Sequence, residues 1–227
     1  MNALLPIGRP VRVEMLLDLV CPWCFLGFRR LQRALAARPQ LDVTVAWRPF
    51  LLNPDLPESG LPHEEFVRRK YGGDERARRF YRSVSELGEQ DGATFRFDRI
   101  RRIPSTVDAH RLLGWSAAWP SRTAPFVDGL FTAHFTDGAD IGDHGTLAVL
   151  AARAGLDADA ARDMLRGTDG LDRVHTENLR AHRAGITGVP CVIVGGELAV
   201  MGAQESIVLQ RLLDAATAET MEIALSR

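Results

Sequence analysis

The chain has 227 residues, of which 46% are hydrophobic and 25% charged, with a formal net charge of -1. That length suits one large domain, or a domain carrying an insertion, with enough apolar residues for a substantial core. Near-neutral charge removes any bulk attraction to nucleic acid or anionic membrane, and no apolar run reaches the roughly 18 residues of a membrane span. Nearly every base is arginine, Lys70 being the single lysine. The first residues lack the basic leader and long apolar run of a secretory signal, so a cytoplasmic chain is expected. Three cysteines, Cys21, Cys24 and Cys191, are too few for a disulfide scaffold and point to chemistry or metal.

In chain order, residues 12–18 read as a buried strand. Residues 23–37 read as a helix with Phe25, Phe28, Leu31, Ala34 and Leu35 inward and Arg29, Arg30 and Arg33 outward. Alternation over 42–50 predicts a second strand, so the three form a right-handed βαβ unit with parallel strands. After the Pro54, Pro57 and Pro62 loop comes a long region without a convincing strand. Helices are expected there over 62–71, 74–89, 106–119, 125–136, 144–154, 157–166 and 171–184, separated by breakers that include Gly72-Gly73, Pro120, Gly138 and Gly155. The Phe95-Arg96-Phe97 run reads as a short extended piece. Strand signals return over 191–194 and 197–201, joined by the tight-turn pair Gly195-Gly196. A last helix is expected over 204–218, burying Ile207, Leu209, Leu212 and Leu213. The frame is an α/β fold, βαβ then ββα, interrupted by a large all-helical insertion. The divisions expected are 11–55 with 185–218 as one domain, 56–184 as the insertion, and 1–10 and 219–227 as tails.

Cys21-Pro22-Trp23-Cys24 falls where the first strand hands over to the first helix. Two thiols three positions apart there can close a disulfide across one turn. Pro22 suits the first helical position, where its missing N–H would have no helical partner. Unpaired amides and the positive end of the helix stabilise a thiolate over a thiol at such a position. Cys21 is then the nucleophile, and Cys24, one turn further in, the shielded resolving thiol. Two competing readings are a pair of core cysteines and a zinc pair. The strand-to-helix position favours redox chemistry, and no second Cys/His pair at close spacing supports zinc.

Pro190, after Gly188 and Val189, opens a strand, where a residue that cannot donate to the ladder is tolerated. It is a candidate for a cis bond presenting the Val189 backbone to a substrate, although local sequence alone favours an ordinary trans proline.

These motifs together resemble the DsbA-type thioredoxin fold. The segments Asp18-Leu19-Val20-Cys21-Pro22-Trp23-Cys24-Phe25-Leu26-Gly27, Ser105-Thr106-Val107-Asp108-Ala109-His110-Arg111-Leu112, Asp140-Ile141-Gly142-Asp143 and Gly202-Ala203-Gln204 are similar to the cytoplasmic FrnE-like branch. That branch groups with 2-hydroxychromene-2-carboxylate isomerases and kappa-class glutathione transferases. The resemblance spans residues 11–215. It implies that Val189-Pro190 is the loop holding the substrate backbone. It also implies that Gly202, Ala203 and Gln204 form a helix start receiving the γ-glutamyl carboxylate of glutathione, a role helix N-termini fill through their amides. Isomerase and transferase relatives typically carry Ser at the first motif position; Cys21 with Cys24 fits dithiol redox better.

The resemblance therefore implies a thiol–disulfide oxidoreductase or isomerase, without a tightly bound cofactor and with glutathione or another thiol as co-substrate. A disulfide-containing protein or small molecule is its expected partner. The alternatives are a glutathione-dependent isomerase or transferase on an aromatic or polyketide-like molecule, and a non-catalytic binding module. The resemblance also places His110 and Arg111 over the cleft, within reach of a substrate carboxylate, against the plainer reading of a satisfied histidine and a surface arginine. Trp23, exposed, and Met201 are expected to line the groove beside the sulfurs. Asp18 is read either as a proton acceptor for Cys24 or as a cap. His134 and His144 read as structural or exposed, and Cys191 as a small core hydrophobe or a third reactive thiol. The insertion offers surface for a homodimer, without a heptad pattern that compels one.

Overall fold

The computed structural model describes residues 10–225. Strand β1 (Val11–Leu17) leads into helix α1 (Pro22–Ala36), which returns as β2 (Val43–Pro49) parallel to β1. Much later, β5 (Cys191–Val194) pairs antiparallel with β1, and β6 (Leu198–Met201) pairs antiparallel with β5, giving the sheet order β2-β1-β5-β6. Gly195 and Gly196, with φ of 67° and 85°, are the central residues of the turn within the three-residue connection 195–197, a left-handed pair that glycine adopts without steric cost. The chain closes on α9 (Ser206–Leu225).

Between β2 and β5 lie β3 (Leu61–Pro62), α2 (His63–Tyr71), α3 (Asp74–Asp91), β4 (Arg102–Ile103), α4 (Val107–Ser116), α5 (Pro120–Thr132), α6 (His144–Arg153), α7 (Ala158–Arg166) and α8 (Leu171–Arg183). A π-helical segment, Ala133–Asp137, prolongs α5.

Alternation along β1 sends Val13, Met15 and Leu17 into the main core with Phe25, Phe28 and Leu31 of α1 and Leu209 and Leu213 of α9. Leu16 points to the opposite face, where it packs with Phe50, Ala181 of α8 and Cys191. The main core does not stop at the sheet. Phe25 stacks on Phe131 at 5.3 Å and meets Phe95 edge-on at 5.5 Å, so helical insertion and sheet share one apolar interior.

Several sequence expectations change. The insertion does contain strand, the two-residue ribbon β3–β4 paired through Leu61 and Ile103. Pro120 opens α5 instead of breaking the chain, because a first-turn proline forfeits no helical hydrogen bond; Pro125 lies inside that helix. Of the expected extended piece over 95–97, residues 95 and 96 lie outside regular secondary structure and Phe97 opens a 3-10 turn, Phe97–Arg99. Helix α9 begins at Ser206 and continues over 219–225, expected as tail, while residues 1–9 and 226–227 of the expected tails lie outside the described residues. Ile207 is 51% exposed, so the buried stripe of α9 runs through Leu209, Leu213 and Ala216.

Arg30 is the largest departure. The helical pattern puts it in solvent with its neighbours, yet it is buried. Its Nε donates to Asp91 at 2.6 Å and its Nη1 to the Ala203 carbonyl at 2.7 Å. Its Nη2 reaches Glu205 at 2.7 Å, and Arg33 holds the other Asp91 oxygen at 2.5 Å. Arg29 pairs with Asp128 at 2.9 Å and lies over the Phe25 ring.

Candidate active site

Cys21 is the N-cap of α1, extended at φ -94° and ψ 115°, with Pro22 in the first turn. Its carbonyl accepts from the amides of Cys24 and Phe25, and its own amide donates to the Asp18 carbonyl at 3.0 Å. The strand thus ends in a turn that delivers the sulfur to the mouth of the helix. The Cys21 thiol faces the loop before β5, donating to the Val189 carbonyl at 3.7 Å. The Val189-Pro190 bond is cis, so the trans reading of the local sequence is overturned. The proline ring packs against α1 where a Cβ on Gly27 would lie 2.8 Å from Pro190 Cγ; glycine there is what lets loop and helix touch.

Cys24 sits one turn behind and is fully enclosed. Burial pushes its thiol well above the usual range, and the Cys21 sulfur raises it further. All three cysteines are buried and free. Asp18 is buried beside Cys24. Its Oδ2 accepts from the Leu52 amide at 2.7 Å, and burial raises its carboxyl despite that bond.

Cys21 is only 4% exposed, yet it is not sealed in: its residue lines a cavity of about 280 Å³. On the sheet side the wall is Val20 to Trp23 with Gly188 and Val189. The far side is built by α2 and α3 (His63, Phe66, Lys70, Tyr71, Phe80, Tyr81), and the floor includes Phe97, His134 and Phe135. Trp23 is half-buried, not exposed as expected, with its ring edge-on to Phe80 at 6.1 Å. Burial pushes the Tyr71 phenol up to about 12, so it stays protonated, and His63 Nε2 lies 3.0 Å from the Tyr81 hydroxyl.

Other expected site residues lie elsewhere. His110 is buried beneath the sheet end with Nε2 3.9 Å from Asp18 Oδ1, and it is absent from the walls of the Cys21 cavity. Burial lowers its pKa to about 3, so it is a neutral interior group and not a contact for a substrate carboxylate. Arg111 is also interior, tying α4 to the carbonyls of Met164, Gly167 and Asp169. Met201 is 43% exposed and outside the cavity.

Gly202, Ala203 and Gln204 precede the helix instead of starting it. The Gly202 amide donates to Pro190 O, the Gln204 amide to Gly202 O, and Ala203 O accepts from Arg30. The Gly202 and Gln204 amides are therefore already engaged, a departure from the expected free cradle, and Gly202 buttresses the Pro190 loop. His144 pairs with Asp108 at the surface, whereas His134 belongs to the cavity, a placement that no motif around it announces. Cys191 lies on the sheet face opposite α1, paired in register with Leu16, and burial raises its thiol. Among the described residues no cluster of three or more His, Cys, Asp or Glu is placed to hold a metal ion, and no helix is long and apolar enough to cross a membrane.

A βαβ unit followed by ββα, with two thiols on the first helical turn opposite a cis-proline loop, defines a thioredoxin-fold dithiol protein. The chain belongs to the DsbA-like thioredoxin domain family, whose profile it matches over residues 12–214. It is similar to a probable DsbA oxidoreductase from Streptomyces coelicolor, with 32% identity and a TM-score of 0.81, covering 92% of this chain and 91% of that one. Two more distant structures share the fold. A 2-hydroxychromene-2-carboxylate isomerase has 14% identity and a TM-score of 0.69, covering 93% of this chain and 98% of that one. The cytosolic disulfide reductase DsbM of Pseudomonas aeruginosa, solved with GSH, has 17% identity and a TM-score of 0.61, covering 95% of this chain and 100% of that one.

Proposed function

We propose that this protein is a cytoplasmic thiol–disulfide oxidoreductase in which Cys21 attacks a substrate disulfide and Cys24 resolves the mixed disulfide. Glutathione or another small thiol serves as the returning reductant. The observation that carries this reading is the Cys21 sulfur at the helix N-cap, touching the Val189 carbonyl at 3.7 Å beside a cavity that both residues line, with a second thiol one turn behind. The first thiol is reachable and the second is not, which is the division of labour that a two-step exchange needs. The fold shared with a cytosolic disulfide reductase solved with GSH supports both the compartment and the co-substrate. In a reducing compartment the direction of flux is disulfide reduction or rearrangement.

The test is mass analysis of iodoacetamide-treated protein before and after oxidation with a small disulfide. Cys21 alkylates at pH 7 at least about tenfold faster than a free model thiol, and oxidation removes two alkylation sites by joining Cys21 to Cys24. Cys24→Ser accumulates a mixed disulfide on Cys21. Ordinary alkylation kinetics at Cys21 sinks the proposal. An isomerase reading, by contrast, requires that Cys24→Ser be tolerated.

A further inference from the structure

The cavity carries more information than the motif. We propose that it selects a low-molecular-weight disulfide bearing an aromatic ring, and that it excludes the disulfides of folded proteins. This rests on the oxidoreductase reading above and adds the class of substrate.

Access comes first. The nucleophile is 4% exposed and sits on the inner wall of the cavity, with α2 and α3 forming the wall opposite. A disulfide in a folded protein brings backbone on both sides of each sulfur and cannot follow it inside. A small molecule can. An apolar cavity of about 150 Å³ suffices for benzene, so about 280 Å³ accommodates a substituted ring, a short linker and the sulfurs.

The lining then chooses the chemistry. Seven aromatic side chains, Trp23, Phe66, Tyr71, Phe80, Tyr81, Phe97 and Phe135, surround the space. They hold one another in place: Tyr81 stacks on Phe97 at 3.9 Å, and Phe80 meets both Trp23 and Tyr71. Fixed ring faces and edges favour a planar aromatic guest over a flexible polar one.

The chemistry balances without further components. The Cys21 thiolate attacks R–S–S–R, forming a Cys21–S–R bond and releasing one RS⁻, which takes up a proton. Cys24 loses its proton and attacks Cys21 Sγ, forming the Cys21–Cys24 disulfide and releasing the second thiol. The substrate gains two electrons and the protein loses them. Two molecules of glutathione, oxidised to their disulfide, restore the dithiol.

The experiment compares three substrates with glutathione as reductant: bis(hydroxyphenethyl) disulfide, bis(2-hydroxyethyl) disulfide and insulin. Both small disulfides release alkyl thiols of similar acidity, so intrinsic reactivity does not decide the result. The wild type is expected to favour the aromatic disulfide in kcat/KM by about 30-fold, equivalent to about 2 kcal/mol, and to leave insulin unreduced above background. Phe80→Ala shrinks the preference. Small disulfides turned over within about threefold of each other, or insulin reduced as readily, overturn the inference while leaving the oxidoreductase reading intact. No turnover of any of the three overturns both. The wild-type comparison decides the matter whether or not the variant folds.

Discussion

At the scale of single residues, Gly27 and Cys191 make opposite predictions. A methyl group at position 27 meets Pro190 Cγ at 2.8 Å and Cβ at 3.3 Å, so Gly27→Ala must push the Val189-Pro190 loop away from Cys21. Overpacking costs about 1–3 kcal/mol, and the better helix propensity of alanine returns at most about 1 kcal/mol. The expected net effect is a loss of about 1 kcal/mol in urea unfolding and a drop in turnover of about tenfold, because the loop faces the nucleophile. Unchanged turnover would show that the loop position is immaterial. Cys191 sits on the far face of the sheet with Leu16 and Phe50. Cys191→Ala is therefore expected to leave Cys21–Cys24 pairing by mass analysis untouched while costing about 1 kcal/mol of stability through a small cavity. Mixed Cys21–Cys191 species on oxidation would contradict this.

Among the elements, the junction of α1, the end of α3 and the turn before α9 depends on buried charge. Arg30 and Asp91 are both nearly inaccessible and bonded at 2.6 Å. Replacing Asp91 with Ala leaves the buried Arg30 guanidinium with Glu205 as its remaining carboxylate partner, a change that costs up to about 3–5 kcal/mol. Chemical denaturation of Asp91→Ala should show that loss, and Arg33, half in solvent, should contribute far less when removed. This junction also marks the limit of what the residues announce. The period of Phe25, Phe28, Leu31 and Ala34 reveals the buried stripe of α1 directly, and Gly195-Gly196 reveals the hairpin. Arg30 reads as outward because its charge is visible and its partner, 61 positions away, is not. Pro120 misleads for a related reason: a proline starts a helix as readily as it breaks one, and only the residues C-terminal to it distinguish the two.

For the molecule as a whole, acid should be destabilising earlier than the carboxylates alone dictate. His110 and His134 are buried and neutral, with burial lowering their pKa values to about 3 and about 4. In the unfolded chain both take up protons below about 6.5. Between about pH 6.5 and 4 the unfolded state therefore binds two protons that the native state refuses. Stability falls as pH drops through that window, by about 1.4 kcal/mol per unit for each histidine. Asp18, with its raised pKa, acts the other way near the acid end, since the folded state accepts its proton first. Urea midpoints measured from pH 7 to 4.5 should decline steeply, and His134→Phe should remove about half of the slope. A flat profile would mean that these imidazoles are hydrated. The same histidines show why the site is only half legible in the chain. Cys21, Cys24 and Val189-Pro190 lie in contiguous motifs with a mechanical meaning, whereas the opposite wall is drawn from α2, α3 and residues 97–135, scattered aromatics without a shared pattern. His110, set within a motif, is interior, and His134, without a motif, faces the cavity. One further member of that wall has a practical value. Lys70 lies exposed at the rim, with its ammonium 5.1 Å above the Phe66 ring. No other lysine side chain exists in the chain to compete for an amine-directed dye, so a fluorophore attached there would signal, by quenching or brightening, each time a guest occupies the space beside it.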